Sequence, residues 1–207
     1  MNVTIIGTGN MARAIGTRLA AGGHQVSVLG KQVEAAEEAV NEIGANAEAG
    51  RSGDPITGDV VVLAVYYPDA TATVKQYRDQ LVGKVVVDIS NPVNETIDDL
   101  VTPPDSSAAQ ELAAKASGAR VVKAFNTTFA STLNEGQVGG QPLDVFLAAD
   151  DADAKATVAG LVEDGGLRPV DAGPLRRARE LEAAGLLHMS VQGTLGTGFA
   201  SALKVIA

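Results

Sequence analysis

No cysteine and no tryptophan occur among the 207 residues, and histidine occurs only twice. Without a thiol there is no disulfide, no thiolate catalysis and no Cys-ligated metal. His24 and His188 lie far apart, and no cluster of His and carboxylates has the spacing of a metal site, so no metal is expected. Positive charge is short as well: 16 Lys and Arg face 25 Asp and Glu, a net charge of −9. Nucleic acid and anionic membrane surfaces both demand a concentrated positive field, so neither is an expected partner. Charges, glycine or asparagine break every apolar run well before the roughly 20 residues that a membrane-spanning helix needs. Met1 leads straight into Val3-Thr4-Ile5-Ile6-Gly7 with no basic leader and no cleavage signal, from which a cytoplasmic location is expected.

What is present is small and aliphatic. Hydrophobic residues make up 45% and aromatics 3%, with 23 glycines, a composition suited to helices packed closely on strands of Val, Ile and Leu. No repeat, linker or shift in composition divides the chain, so residues 1–207 read as one domain. Short β-branched runs alternate with helical stretches, the pattern of βαβ units. Strands are expected at Val3 to Ile6, Val26 to Leu29, Val60 to Val65, Val85 to Ile89, Arg120 to Ala124 and Val145 to Ala148, with shorter signals near Ala47 and, as an edge strand, at Pro169-Val170. Helices are expected from Met11 to Ala21, stopped by Gly22-Gly23, and from Val33 to Ile43. Further helices are expected from the capping box Ser107…Gln110 to Ala116, from Asn126 to Leu133, and from Ala152 to Glu163. A closing helix is expected from Leu175 to about Leu195, with residues about 174–207 as a C-terminal helical segment. The expected fold class is α/β, a Rossmann-type, doubly wound, mostly parallel sheet with a C-terminal helix.

Gly7-Thr8-Gly9-Asn10-Met11-Ala12 reads G-x-G-x-x-A between the first strand and the first helix. In that place the first glycine permits a tight turn, the second lets backbone approach a pyrophosphate, and Ala12 permits close helix packing. The phosphates of a dinucleotide would then meet the positive end of the helix, over Gly7, Thr8, Gly9, Asn10 and Met11. An NAD site would carry an acid after the second strand, but the residues there are Leu29-Gly30-Lys31-Gln32. Lys31 is placed to neutralise a 2′-phosphate, so NADP(H) is the expected cofactor.

Ligands of an open parallel sheet lie beyond the carboxyl ends of its strands. Those ends are Val65-Tyr66-Tyr67-Pro68, Ser90-Asn91-Pro92 and Phe125-Asn126-Thr127-Thr128. Val65 and Tyr66 are expected on the cofactor rim, and Asn91 and Asn126 can offer amides to ribose or to a carboxamide. Capping the turn after its strand is an equal role for Asn91. His24 and Asp88 read as structural, and His188, in Leu186-Leu187-His188-Met189, as a packed core or interface histidine. A dehydrogenase acting on an alcohol needs a group to take the hydroxyl proton, and no side chain here suits that task. Hydride transfer between two stacked rings needs positioning only.

The residues resemble the family of NADPH-dependent reductases of the deazaflavin coenzyme F420. The likeness runs through Gly7-Thr8-Gly9-Asn10, Asp88-Ile89-Ser90-Asn91-Pro92, Val121-Val122-Lys123-Ala124-Phe125-Asn126-Thr127 and Asp171-Ala172-Gly173-Pro174-Leu175. A similar Lys-x-Phe-Asn segment occurs in the cytosolic domain of six-transmembrane metalloreductases, where NADPH reduces a flavin. The resemblance implies a nicotinamide near Val65, Asn91 and Ala124, and a second ring beside Asn126, Thr128 and the closing helix. It also implies F420, FMN or FAD as second substrate. Family members usually have Ser-Arg where this chain has Gly30-Lys31, and F420 reductases tend to have His where it has Asn126. Arg176, Arg177 and Arg179 match a basic stretch of the family, though a solvated, salt-bridged helix start is the simpler role.

Two other functions fit the sequence: reduction of a small imino or keto substrate, suggested by Asn10-Met11-Ala12, and a non-catalytic NADP-binding sensor or partner module. Leu186, Leu187, Met189 and Val191 would offer an apolar surface for a homodimer.

Overall fold

The computed structural model describes residues 1–206. Six parallel strands form its centre: β1 (Asn2–Ile6), β2 (Gln25–Gly30), β3 (Ala47–Arg51), β4 (Val60–Leu63), β5 (Val85–Asp88) and β6 (Arg120–Lys123). The small strands β7 (Gln137–Val138) and β8 (Gln141–Pro142) pair as a separate hairpin. Two more strands, β9 (Asp144–Ala148) and β10 (Arg168–Gly173), extend the main sheet. The sheet runs β10-β9-β6-β5-β4-β1-β2-β3, and β9 meets β6 antiparallel at Lys123 and Ala148. From β1 the chain first builds outward to β2 and β3, then returns to build β4, β5 and β6 on the other side. This doubly wound order opens a crevice between the ends of β1 and β4.

The helices are α1 (Asn10–Ala21), α2 (Val33–Ile43), α3 (Tyr67–Tyr77), α4 (Ala108–Lys115), α5 (Ala130–Glu135), α6 (Ala152–Asp164), α7 (Ala178–Ser190) and α8 (Gln192–Leu195). Alternate residues of the strands point to opposite faces. Val3, Ile5, Val60, Val62, Val85 and Val87 meet α1, α2 and α6, whereas Ile6, Val61, Leu63 and Val86 meet α3 and α4. Strands covered on both sides must be apolar throughout, which is why Val60–Leu63 and Val85–Val87 are unbroken runs.

Several sequence-based boundaries move. β4 stops at Leu63, so Ala64 and Val65 belong to the loop that turns into α3, with Pro68 in the helix's first turn. No helix was anticipated there, although Ala70, Val74 and Tyr77 bury one face at the right spacing. The helix expected from Asn126 begins only at Ala130, and residues 125–128 instead form a turn closed by Thr128 N–H on the Phe125 carbonyl. The closing helix is broken: a 3-10 turn at Leu175–Arg177 precedes α7, Val191 separates α7 from α8, and Gly196 at φ +62° ends it. Beyond that the described residues are not helical; they return to the sheet, where Val205 N–H and Lys204 Nζ both reach the buried Asp144 carboxylate. Ala207, the last residue of the expected helical segment, lies outside the described residues.

Candidate functional site

Gly7 leaves β1 at φ +122°, a conformation that side chains rarely allow, and a Cβ there would lie 2.2 Å from the Ala64 carbonyl oxygen. Only glycine lets the β1 and β4 loops come this close. Gly9, the N-cap of α1, has open space where its Cβ would be, and no side chain caps the helix. Ser107 and Asp151 cap α4 and α6, whereas α2, α3, α5, α7 and α8 lack a side-chain cap as α1 does; what sets α1 apart is that its N-cap is a glycine. The first amides of α1 thus have no side-chain partner and start at a glycine whose Cβ position is open, a cradle suited to a diphosphate. At the end of β2, a Cβ on Gly30 would meet Thr8 Cγ2 at 2.8 Å and the Gln32 carbonyl at 2.7 Å. Any side chain at this position would crowd the loop, which accounts for the glycine. Lys31 is 77% exposed and pairs with Asp69 at 3.2 Å, while Met11 is half-buried against the core and Tyr66 is 86% exposed on the rim.

Tyr67 turns away from the crevice to donate a hydrogen bond to Glu111 at 2.8 Å. Burial, and then that carboxylate, push its phenol up to about 12, so it stays protonated.

The loops after β5 and β6 form the other half of the site. Asn126 Nδ2 donates to Asn91 Oδ1 (2.9 Å) and to the Leu181 carbonyl (2.8 Å), and Asn91 Nδ2 donates to the Asn126 carbonyl (2.8 Å). The two amides hold each other, so Asn91 ties two loops together rather than capping its own. Gly185 of α7 packs on this pair; a Cβ there would fall 2.6 Å from Asn91 Oδ1. Asn126 Oδ1 and Ser90 Oγ are buried without a partner, so two polar atoms of these loops remain available to a ligand. Phe125 is held at φ +61°, a strained setting for a buried aromatic residue that turns the chain sharply into Asn126. Ala124 has no exposed surface, and Thr128 spends its hydroxyl on the Phe125 carbonyl at 2.7 Å.

Beneath these loops lies a group whose role the sequence pattern did not disclose. Lys123 Nζ, fully buried, donates to Asp88 Oδ2 (2.8 Å), Glu182 Oε1 (2.8 Å) and the Ser90 carbonyl (2.5 Å). Asp88 also accepts the Ser90 amide, and Glu182 accepts the amides of Ala108 and Ala109 at the start of α4. One ammonium thus joins β5, β6, α4 and α7. Burial alone would lower the lysine's pKa, but the two carboxylates outweigh it and raise it. A lysine inside the apolar run Val121-Val122-Lys123-Ala124-Phe125 was the available signal, since such a charge is buried only with partners.

The histidines are structural. His24 sits between the N-terminal amine and Asp164. His188 stacks on Phe129 at 4.3 Å between the Thr127 carbonyl (3.1 Å) and Ser201 Oγ (2.9 Å). Burial lowers the pKa of His188, so below the histidine's usual value near 6.5 the unfolded chain takes up a proton that the folded chain refuses. The stability this imidazole contributes is full above that value and lost as pH falls. Melting temperature should therefore drop between pH 7 and 5.5, and the drop should be shallower in His188→Asn; an identical pH profile would contradict this. Arg177 pairs with Glu180 (2.7 Å) and Arg179 donates to the Pro103 and Ser106 carbonyls, the salt-bridged helix start expected. Among the described residues no helix is long and apolar enough to cross a membrane.

Residues 2–92 match the family model "NADP oxidoreductase coenzyme F420-dependent". The F420-dependent NADP reductase of Methanocaldococcus jannaschii is 30% identical over 88% of this chain and 88% of its own length. Metalloreductase STEAP3 of Rattus norvegicus is 30% identical over 87% of the chain, which spans only 36% of that protein. A solved Arthrobacter sp. FB24 structure, proposed to be an F420-dependent NADP reductase, superimposes with a TM-score of 0.88 at 26% identity, over 99% of both chains. The glycine cradle and the two motifs that meet at Lys123 are thus found in a chain that belongs to the F420-dependent NADP oxidoreductase family and is an NADP-dependent oxidoreductase.

Proposed function

We propose that this chain, acting as one NADP-binding domain, moves a hydride between NADP(H) and a planar ring acceptor, with coenzyme F420 the first choice and FMN or FAD the next. The observation that carries the reading is the uncapped start of α1 at an open Gly9, on the same sheet edge as the loops after β5 and β6, where the oxygens of Ser90 and Asn126 have no partner. Bound NADPH supplies the hydride. The backbone amides of Thr8, Gly9, Asn10 and Met11 hold the diphosphate, Gly7, whose own amide donates to the Leu29 carbonyl at 2.9 Å, makes the turn that lets it approach, and Lys31 holds the 2′-phosphate. Val65, Tyr66 and Asn91 border the nicotinamide half, and the Ala124 backbone sets the depth at which Asn126 stands. The buried oxygens of Ser90 and Asn126 accept hydrogen bonds from ring or carboxamide N–H groups and so fix ring orientation. Thr128 shapes the acceptor side by holding the Phe125 turn. The hydride adds to the ring and solvent supplies the proton that completes its reduction, so no side chain is asked to transfer one, whereas reduction of a keto or imino group calls for such a side chain.

The protein acts in the cytoplasm and pairs as a homodimer through α7, a reading supported by Leu187, which is 63% exposed at the end of that helix. The discriminating experiment is NADPH oxidation by the purified protein with F420, FMN, FAD, ferric chelates and small keto or imino compounds offered in turn. Turnover with a ring acceptor and none without it is expected. Turnover only with a small carbonyl or imine would replace this reading with the second, and NADPH binding without any turnover would indicate a sensor.

A further inference from the structure

One exposed ion pair spans the end of the crevice where the adenosine half of a dinucleotide would lie. Lys31 Nζ, just beyond β2, stands 3.2 Å from Asp69 Oδ2 in the first turn of α3. β2 lies on one side of β1, and α3 follows β4 on the other, so the pair reaches from wall to wall. The two side chains are 77% and 50% exposed, and pairs that open to solvent contribute little to folding. In NAD-binding sheets of this order the carboxylate that takes the ribose hydroxyls follows β2. Here that place holds Gly30 and Lys31, and the carboxylate stands instead on the opposite wall, within hydrogen-bond distance of the lysine.

We propose that Asp69 sets the cofactor preference of this chain, restraining NADPH and favouring NADH. The inference rests on the reading of Lys31 as the 2′-phosphate ligand. A phosphomonoester carries about −1.5 to −2 near neutral pH. To reach Lys31 it must break the pair with Asp69 and then sit beside an uncompensated carboxylate. NADH has a hydroxyl in that place, which donates a hydrogen bond to Asp69 and leaves the pair with Lys31 intact. Asp69 is therefore a counterweight to Lys31, and the discrimination between the cofactors is smaller than the lysine alone would produce.

The test is direct titration of the full chain with NADPH and with NADH, followed by nicotinamide fluorescence, for the wild type, Asp69→Asn, Lys31→Ala and the double variant. Asp69→Asn should tighten NADPH about threefold to tenfold and leave NADH equal or weaker. That gain should shrink at about 0.5 M salt, because the interaction is exposed. Lys31→Ala should weaken NADPH about tenfold to 100-fold with little effect on NADH. In the double variant the gain from removing Asp69 should be smaller, since no lysine remains to be released. If Lys31→Ala loses NADPH selectively while the NADPH to NADH ratio of Asp69→Asn stays at the wild-type value at both salt concentrations, the role of Asp69 is overturned and that of Lys31 stands. If Lys31→Ala weakens both cofactors equally or neither, the reading of Lys31 fails and the proposal with it. Asp69→Ser carries the same expectation as Asp69→Asn, so a folding defect peculiar to one variant leaves the other to decide.

Discussion

Lys123→Met should destabilise the protein by about 3–5 kcal/mol, read as a fall in the urea midpoint, because it strands two carboxylates that are buried from water. Methionine nearly fills the lysine's volume, so the loss reports charge rather than a cavity. Removing all the charge together, as in Lys123→Met with Asp88→Asn and Glu182→Gln, should recover a large part of the loss, since the glutamine oxygen can still receive the Ala108 amide of α4. A single variant as stable as the wild type would show that the triad is not what holds these elements. The recovered variant should remain a poor enzyme, because the lysine also donates to the Ser90 carbonyl and so places the loop that carries Asn91.

Gly7→Ala and Gly9→Ala should separate stability from binding. At Gly7 a methyl group must occupy a disfavoured φ of +122° and displace the Ala64 carbonyl 2.2 Å away, with strain of about 1–3 kcal/mol. The β1 and β4 loops then part, and turnover at low NADPH should fall about 100-fold. At Gly9 the methyl group meets no protein atom within 4 Å and the φ of −73° is ordinary, so melting temperature should be unchanged. It would nevertheless fill the space that the diphosphate requires, and NADPH binding should weaken. Unaltered NADPH affinity in Gly9→Ala would place the cofactor elsewhere.

The centre of the sheet was legible because β4 and β5 are covered on both faces and so had to be apolar along Val60–Leu63 and Val85–Val87. α3 escaped notice because its one buried face of Ala70, Val74 and Tyr77 is short and mixed with polar residues. The broken end of the closing helix was also missed, since Leu187 and Leu195, which fit the apolar pattern, are exposed. In the site, the glycine loop was readable from local spacing alone. Asn91 and Asn126 were picked out singly, but 35 residues separate them and nothing in either segment announces that their amides bind each other.

The order of amino acids by itself determined the βαβ rhythm, the need for glycine at the first turn and the lack of an acid after β2, because each depends on neighbours a few residues away. Only the tertiary structure decided which distant charges meet: Lys123 with Asp88 and Glu182, and Lys31 with Asp69. Contacts of that kind arise where the doubly wound order brings separate loops to one edge of the sheet, and burial then makes their pairing compulsory for Lys123 while solvent leaves it adjustable for Lys31.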